Sequence, residues 1–180
     1  MEIAGEYQID APREVVWQAL NDPDMLRKCI PGCESLEKTG DNAFAATVVA
    51  AVGPVKAKFN TALTLEDLDP PSSYRLVGES KAAAGFGRGS AEVKLAENDG
   101  GTLLTYSADF KVGGKLAQVG SRLVLGATRK TADDFFGTFS KEIDPSAVRV
   151  EDPAPSGGWP VSRIAAAAVA VLLILWILLG

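Results

Sequence analysis

The sequence predicts an α+β domain, a strongly curved antiparallel sheet around one long C-terminal helix, plus a C-terminal transmembrane helix. Three observations carry this. Period-two patterning, apolar residues alternating with smaller or polar neighbours, runs from Ala43 to Val112 and is cut by short turns. The period changes after Gly113-Gly114, where a stretch without proline repeats its apolar residues at three-to-four spacing. Ile164 to Leu179 then carries no charge.

Along the chain, Ile3, Gly5, Tyr7 and Ile9 fall on one face and Glu2, Glu6 and Gln8 on the other, a half-buried strand. DAPREVVWQALND reads as a short helix with Pro12 near its first turn, and DPDMLRKC as a second behind Asp22 and Pro23. IPG breaks that helix, and SLEKTG is a weak strand ended by Gly40. Strands follow over Ala43–Val52, from Val55 through Glu66, and over Tyr74–Lys81, Gly85–Glu97 and Thr102–Val112, with turns at Gly53-Pro54, DPPSS and NDGG. The long helix runs from Lys115 to Ile143. Leu116, Val119, Leu123 and Ala127 form its first apolar set, and Ala132, Phe135, Phe136, Phe139 and Ile143 a second on a rotated stripe, which points either to a bend near Gly126 or to a stripe widened to meet a curved sheet. The organisation is therefore a domain over 1–143, a Pro/Ser/Gly-rich flexible linker over 144–160 and a transmembrane anchor over 161–180.

As a helix the uncharged stretch spans roughly 24 Å, a little short of the ~30 Å hydrocarbon core, and Trp159 and Trp176 bracket it. Arg149 and Arg163 precede it and no basic residue follows, so the positive-inside rule places the domain on the cytoplasmic face of the inner membrane as a single-pass anchored protein. The net charge of −5 argues against nucleic acid, whose phosphates need a concentrated basic surface, and against binding of anionic lipid by the domain itself.

The chemistry-bearing residues are few. The chain has no histidine and two cysteines, Cys29 and Cys33, too few for a four-ligand zinc site. They flank a Pro31-Gly32 turn and read as small hydrophobes holding a tight loop, with a redox pair as the alternative. No Ser–His or Cys–His pair exists, so neither catalytic residues nor metal ligands are expected and the protein is read as not an enzyme. Asp133-Asp134 and the run Glu66, Asp67, Asp69 read as solvated faces. GFGRG lacks the strand–loop–helix context and spacing of a dinucleotide fingerprint. Strand alternation instead puts Gly85, Gly87 and Gly89 on the inner face with Ala91, Val93 and Leu95, and sends Phe86 and Arg88 outward. The missing side chains either free cavity volume or let strand and helix approach closely. A bulge near Gly85 would invert that assignment. The candidate apolar lining is Phe59, Val93 and Leu104 with Leu116, Val119 and Leu123 from the long helix. Inward Tyr7, Thr61, Ser80 and Tyr106 either orient a ligand carbonyl or satisfy one another.

CIPGCESLEKTG (29–40), GFGRGSAEVKL (85–95) and GGKLAQVGSRLV (113–124) occur in an order that resembles the family of the carbon monoxide dehydrogenase G subunit. That family lies in the START/Bet v 1-like (SRPBCC) superfamily, and the similarity covers residues 1 to about 143. The resemblance implies the helix-grip fold, a hydrophobic cavity between sheet and helix, and association with a CO dehydrogenase-type molybdenum hydroxylase at the membrane. It places the Cys29–Cys33 loop near the cavity mouth. The expected function is a carrier with no covalent cofactor. It would bind a hydrophobic ligand, respiratory quinone, and couple the enzyme to membrane electron transport, with membrane lipid and quinone as further partners. The alternatives are a pure recruitment adaptor and, behind it, a superfamily cyclase or hydrolase.

Overall fold

The computed structural model describes residues 1–143. β1 (Glu2–Ile9) leads into two short helices, α1 (Arg13–Leu20) and α2 (Pro23–Cys29). Six strands follow: β2 (Cys33–Gly40), β3 (Ala43–Val52), β4 (Val55–Asp69), β5 (Ser73–Ala82), β6 (Gly85–Asn98) and β7 (Gly101–Gly114). The chain closes with α3 (Lys115–Val119) and α4 (Ser121–Glu142). All seven strands form one sheet in the order β1-β7-β6-β5-β4-β3-β2, and every adjacent pair is antiparallel.

Local chemistry sets the element ends. Asp22 caps α2, its carboxylate accepting from the Asp24 amide at 2.9 Å, and Pro23 occupies the first helical position, where the missing N–H is not needed. The Asn21 amide closes α1 by donating to the Trp17 carbonyl at 2.6 Å. β2 to β7 form a meander because each connection is a short turn, and β1 returns beside β7.

α4 packs against β1 and β3, which lie near opposite margins of the sheet, so the sheet curls around the helix; α2 packs against α4 and closes one end. A single cluster of buried residues forms the core. It joins Ile9, Trp17 and Leu26 to Phe44, Phe59, Leu76 and Leu104 and to Phe135, Phe136 and Phe139 of α4.

A row of small residues crosses the sheet where strands and side chains approach closely. Gly78 and Gly89 are register partners on β5 and β6. A Cβ on Gly78 would come within 2.5 Å of Leu63 Cδ2, and one on Gly89 would strike the Asp109 carbonyl and lie 2.8 Å from Phe110 Cβ. The missing side chain of Gly89 is thus taken up by curvature. Gly89→Ala should cost about 1–3 kcal/mol, as overpacking does, and show as a lower urea midpoint with unchanged slope.

Two expectations are corrected. The long helix is not continuous, nor does it bend at Gly126. It breaks at Gly120, whose φ of 97° and ψ of 141° lie outside helical space and suit glycine. The restart shifts the helical phase. Val124, Thr128, Thr131, Phe135 and Phe139 now face inward with Ala132 and Phe136, and Leu123 turns to the surface, 52% exposed.

The second correction concerns the transmembrane helix and the single-pass anchored location. Among the described residues no helix is long and apolar enough to cross a membrane. α1, α2 and α3 have eight residues or fewer, and α4 carries Arg122, Arg129, Lys130, Asp133, Asp134, Lys141 and Glu142 along its length. The fold class is therefore the curved sheet with its C-terminal helix, and a C-terminal single-pass anchor on the cytoplasmic face of the inner membrane is not supported. The linker (144–160) and anchor (161–180) expectations fall on residues outside the described ones.

Candidate functional site

Strand alternation sorts the candidate lining between the two ends of the interior. Val93 and Leu104 are fully buried, and Val93 stands in register with Tyr74 on one side and Tyr106 on the other. Tyr74 meets Trp17 of α1 edge-on at 5.6 Å between ring centroids. This end is sealed by α1. Burial pushes the Tyr74 phenol far above its usual range.

Six residues earlier on β6, roughly 20 Å away, Gly87 is buried on the inner face between Ser80 and Val112. Ser80 is register partner of Thr61, and the Thr61 hydroxyl donates to Ser80 Oγ at 3.2 Å. Both are buried, Ser80 completely. Phe59, on the same face of β4, and Leu116 of α3 are fully buried too, and α3 packs on β4, β6 and β7. The α3 end thus combines Phe59, Leu116 and a glycine with two hydroxyls in an apolar wall. The hydroxyls satisfy one another, the second of the two arrangements considered for the inward polar residues.

The other candidates are placed differently. Gly85 has φ 146°, and a Cβ there would strike the Gly113 carbonyl, so neither it nor Gly89 frees interior volume. Val119 is half-buried, and Leu123 is not an interior residue. Both sit over the β3–β4 turn, where a Cβ on Gly53 would lie 3.3 Å from Val119 Cγ1 and 3.5 Å from Leu123 Cδ1. β5 and β6 pair without a register shift from Gly85 to Lys94, so Phe86 and Arg88 point outward.

Tyr106 is buried and belongs to a polar group under α4. Its ring lies parallel to that of Tyr7, which stacks on Phe136 at 4.1 Å. Tyr7 Oη donates to Asp133 Oδ1 at 2.7 Å. Burial first, then Asp133, raises the Tyr7 phenol well above its usual range, and burial raises Tyr106. Asp133 is solvent-exposed as expected, but it also holds an inward tyrosine. That partnership joins residues 126 positions apart, and no local pattern signals it.

Cys29 and Cys33 are both free thiols. Cys29 is buried against Met25, Sγ to Sδ 3.8 Å, and burial with nearby Glu142 pushes its thiol up to about 11. Cys33 donates to the Ser35 carbonyl at 3.5 Å and is also raised by burial. Thiolate formation is suppressed at both, which disfavours the redox alternative. Among the described residues no cluster of side chains could hold a metal ion.

One open hollow, of about 520 Å³, lies on the outer face of the sheet among Ser35, Glu37, Ala45, Thr47, Asn60 and Glu79, and another, of about 300 Å³, lies between the start of α1 and the β6–β7 turn. A third, of about 680 Å³, runs over Glu2, Arg75, Glu92 and Asp109 and reaches Arg129 of α4. The inner, helix-facing wall at the α3 end is the candidate ligand site.

Comparison with known proteins bears on what this wall can be. The model of the family described as the G subunit of carbon monoxide dehydrogenase (CoxG) matches residues 5–144. A conserved protein from Geobacillus kaustophilus superposes with a TM-score of 0.77 at 34% identity, covering 81% of this chain and 97% of that one. The Zhui aromatase/cyclase from Streptomyces sp. R1128 superposes at 0.63 with 14% identity, covering 83% of this chain and 96% of the other. Ara h 8.0201 does so at 0.58 with 17% identity, covering 79% and 97%. At these last two identities the likeness is one of fold alone. No curated protein matches.

Proposed function

The chain belongs to the CoxG family, that of the carbon monoxide dehydrogenase G subunit, and from that membership we propose that it is a non-catalytic carrier that binds an apolar ligand between sheet and helix. The ligand in this reading is a respiratory quinone, and the partner is a CO dehydrogenase-type molybdenum enzyme whose electrons the quinone takes up. One observation carries the ligand site: the hydroxyls of Thr61 and Ser80 are buried in an apolar wall beside Gly87. A ring with carbonyl groups needs an apolar enclosure with a small number of placed hydrogen-bonding groups. Removing an isoprenoid tail from water stabilises the complex by about 0.8 kcal/mol per buried CH₂. The absence of histidine from the sequence removes the side chain most often used as a general base and favours carriage over turnover.

A second reading is a docking module whose interior is filled by its own side chains. It is favoured by the complete burial of Phe59, Val93, Leu104 and Leu116 and by the mutual satisfaction of Thr61 and Ser80. Native mass spectrometry of the full chain in mild detergent with a short-tailed ubiquinone analogue separates the two. The carrier predicts an adduct of one quinone per chain. No adduct at saturating quinone would leave the docking module.

A further inference from the structure

Phe86 and Leu123 are the two exposed large apolar side chains among the described residues, and Leu123 is covered in part by the β3–β4 turn. Phe86 is 48% exposed on the outer face of β6. Its cross-strand partner is Gly113, and a Cβ at Gly113 would strike the Phe86 ring. The ring therefore lies flat over β7, held by the glycine beneath it.

The surroundings of this ring break a rule of sheet design. One row further along, Arg88 and Lys111 are directly opposite each other on the same outer face. Like charges so placed repel and destabilise a sheet. Neither forms an ion pair among the described residues. The neighbouring carboxylate, Glu79, is bound to Lys81 at 3.0 Å. Lys115 is exposed at the start of α3, and its amide donates to the Ala84 carbonyl at 2.9 Å, which ties the β5–β6 turn to the helix. In a chain of net charge −5, the cations Lys81, Arg88, Lys111 and Lys115 thus lie around an exposed aromatic, while Asp109, one row beyond Lys111, is held by the N-terminal ammonium at 3.4 Å.

We propose that the outer face around Phe86, Arg88, Lys111 and Lys115 is the docking surface for an acidic face of a partner protein. The identity of that partner as the dehydrogenase rests on the reading above. Aromatic and arginine side chains are the usual anchors of protein interfaces, and complementary charge speeds encounter and fixes register. A lipid surface fits less well, because interfacial insertion calls for several apolar side chains and this ring is held flat. Placement supports the assignment further. Phe86 and Arg88 flank Gly87, so a protein docked here lies against the outer side of the strand whose inner side carries the candidate ligand wall.

The test uses the full chain with purified CO dehydrogenase, and phosphatidylglycerol vesicles as a second probe. Lys111→Glu puts opposite charges across from each other, so its melting temperature should hold or rise. Its affinity for the dehydrogenase should nevertheless fall by about tenfold or more, as should that of Phe86→Ala. Wild-type affinity should drop with added salt. If both variants bind the dehydrogenase like wild type, the face is wrong while the partnership stands. If the wild type does not bind it at all, the partnership and this face fail together. If the variants lose vesicle binding and keep the dehydrogenase, the patch is a lipid contact and the proposal is overturned.

Discussion

Phe135→Ala is expected to remove about 3–5 kcal/mol of stability, the largest single effect anticipated for this molecule. Phe135 is completely buried at the centre of the inward stripe of α4. Its ring meets Phe136 edge-on at 5.0 Å and Phe139 stacked at 5.7 Å. Truncation leaves a void between helix and sheet that neighbours held in secondary structure fill only in part. It also removes two aromatic pairs worth about 0.5–1.5 kcal/mol each beyond their burial. Against a total of about 5–15 kcal/mol, such a loss brings the domain near its threshold. Urea unfolding should show a much lower midpoint. Leu123→Ala, on the same helix but at the surface, should stay within about 0.5 kcal/mol of wild type. Equal costs at the two positions would mean that α4 is phased as one uninterrupted helix from Lys115, and that the break at Gly120 does not set its inner face.

Gly87→Leu should lower quinone affinity at least about tenfold while the protein still folds. The physical reason is local. Gly85 and Gly89 are closed off by the backbone of β7, which leaves Gly87 as the inward glycine beside Ser80. A leucine there projects into the wall proposed to hold the ligand. If that wall encloses ligand rather than packed side chains, the leucine avoids the ~1–3 kcal/mol cost of crowding a tight core. Ser80→Ala adds no volume and removes one hydroxyl. It should reduce affinity by the worth of one hydrogen bond, about 0.5–1.5 kcal/mol. Glu92→Leu, on the outward face of the same strand, should leave quinone binding unchanged. Binding would be followed by tryptophan fluorescence and by mass spectrometry. Wild-type affinity in a well-folded Gly87→Leu protein would remove the ligand from this wall. A leucine that unfolds the protein would show that the wall is packed solid and favour the docking module.

Much of the fold can be read along the chain because its determinants are local. The alternation of Ile3 to Ile9 and of Phe44 to Val52, the turns at Gly53-Pro54 and Asp99-Gly100, and the cap at Asp22 with Pro23 each act within a few residues. They place the strand and helix ends close to where the structure has them, and the Ala132-to-Ile143 stripe marks the buried face of α4 in the same way. The Gly120 break is different. Glycine permits a positive φ but does not require it, and Gly126 and Gly137 remain helical in the same segment. In the folded molecule α3 packs on β4, β6 and β7 with Leu116 fully buried, and after the break Leu123 is exposed.

By itself, then, the sequence determined the meander, the closing helix and the face each strand turns inward, because period-two and period-three-to-four patterns are properties of neighbouring residues. Tertiary structure alone decided what the inward glycines are for. Whether a missing side chain means a cavity or a crease depends on the partner strand. At Gly89 the Asp109 carbonyl and Phe110 occupy the space, and at Gly85 the Gly113 carbonyl does. It also decided the pairing of Tyr7 with Asp133 and the opposition of Arg88 to Lys111. Those relations are set by the curl of the sheet around α4 and by inter-strand register, which bring together residues up to 126 positions apart in the chain.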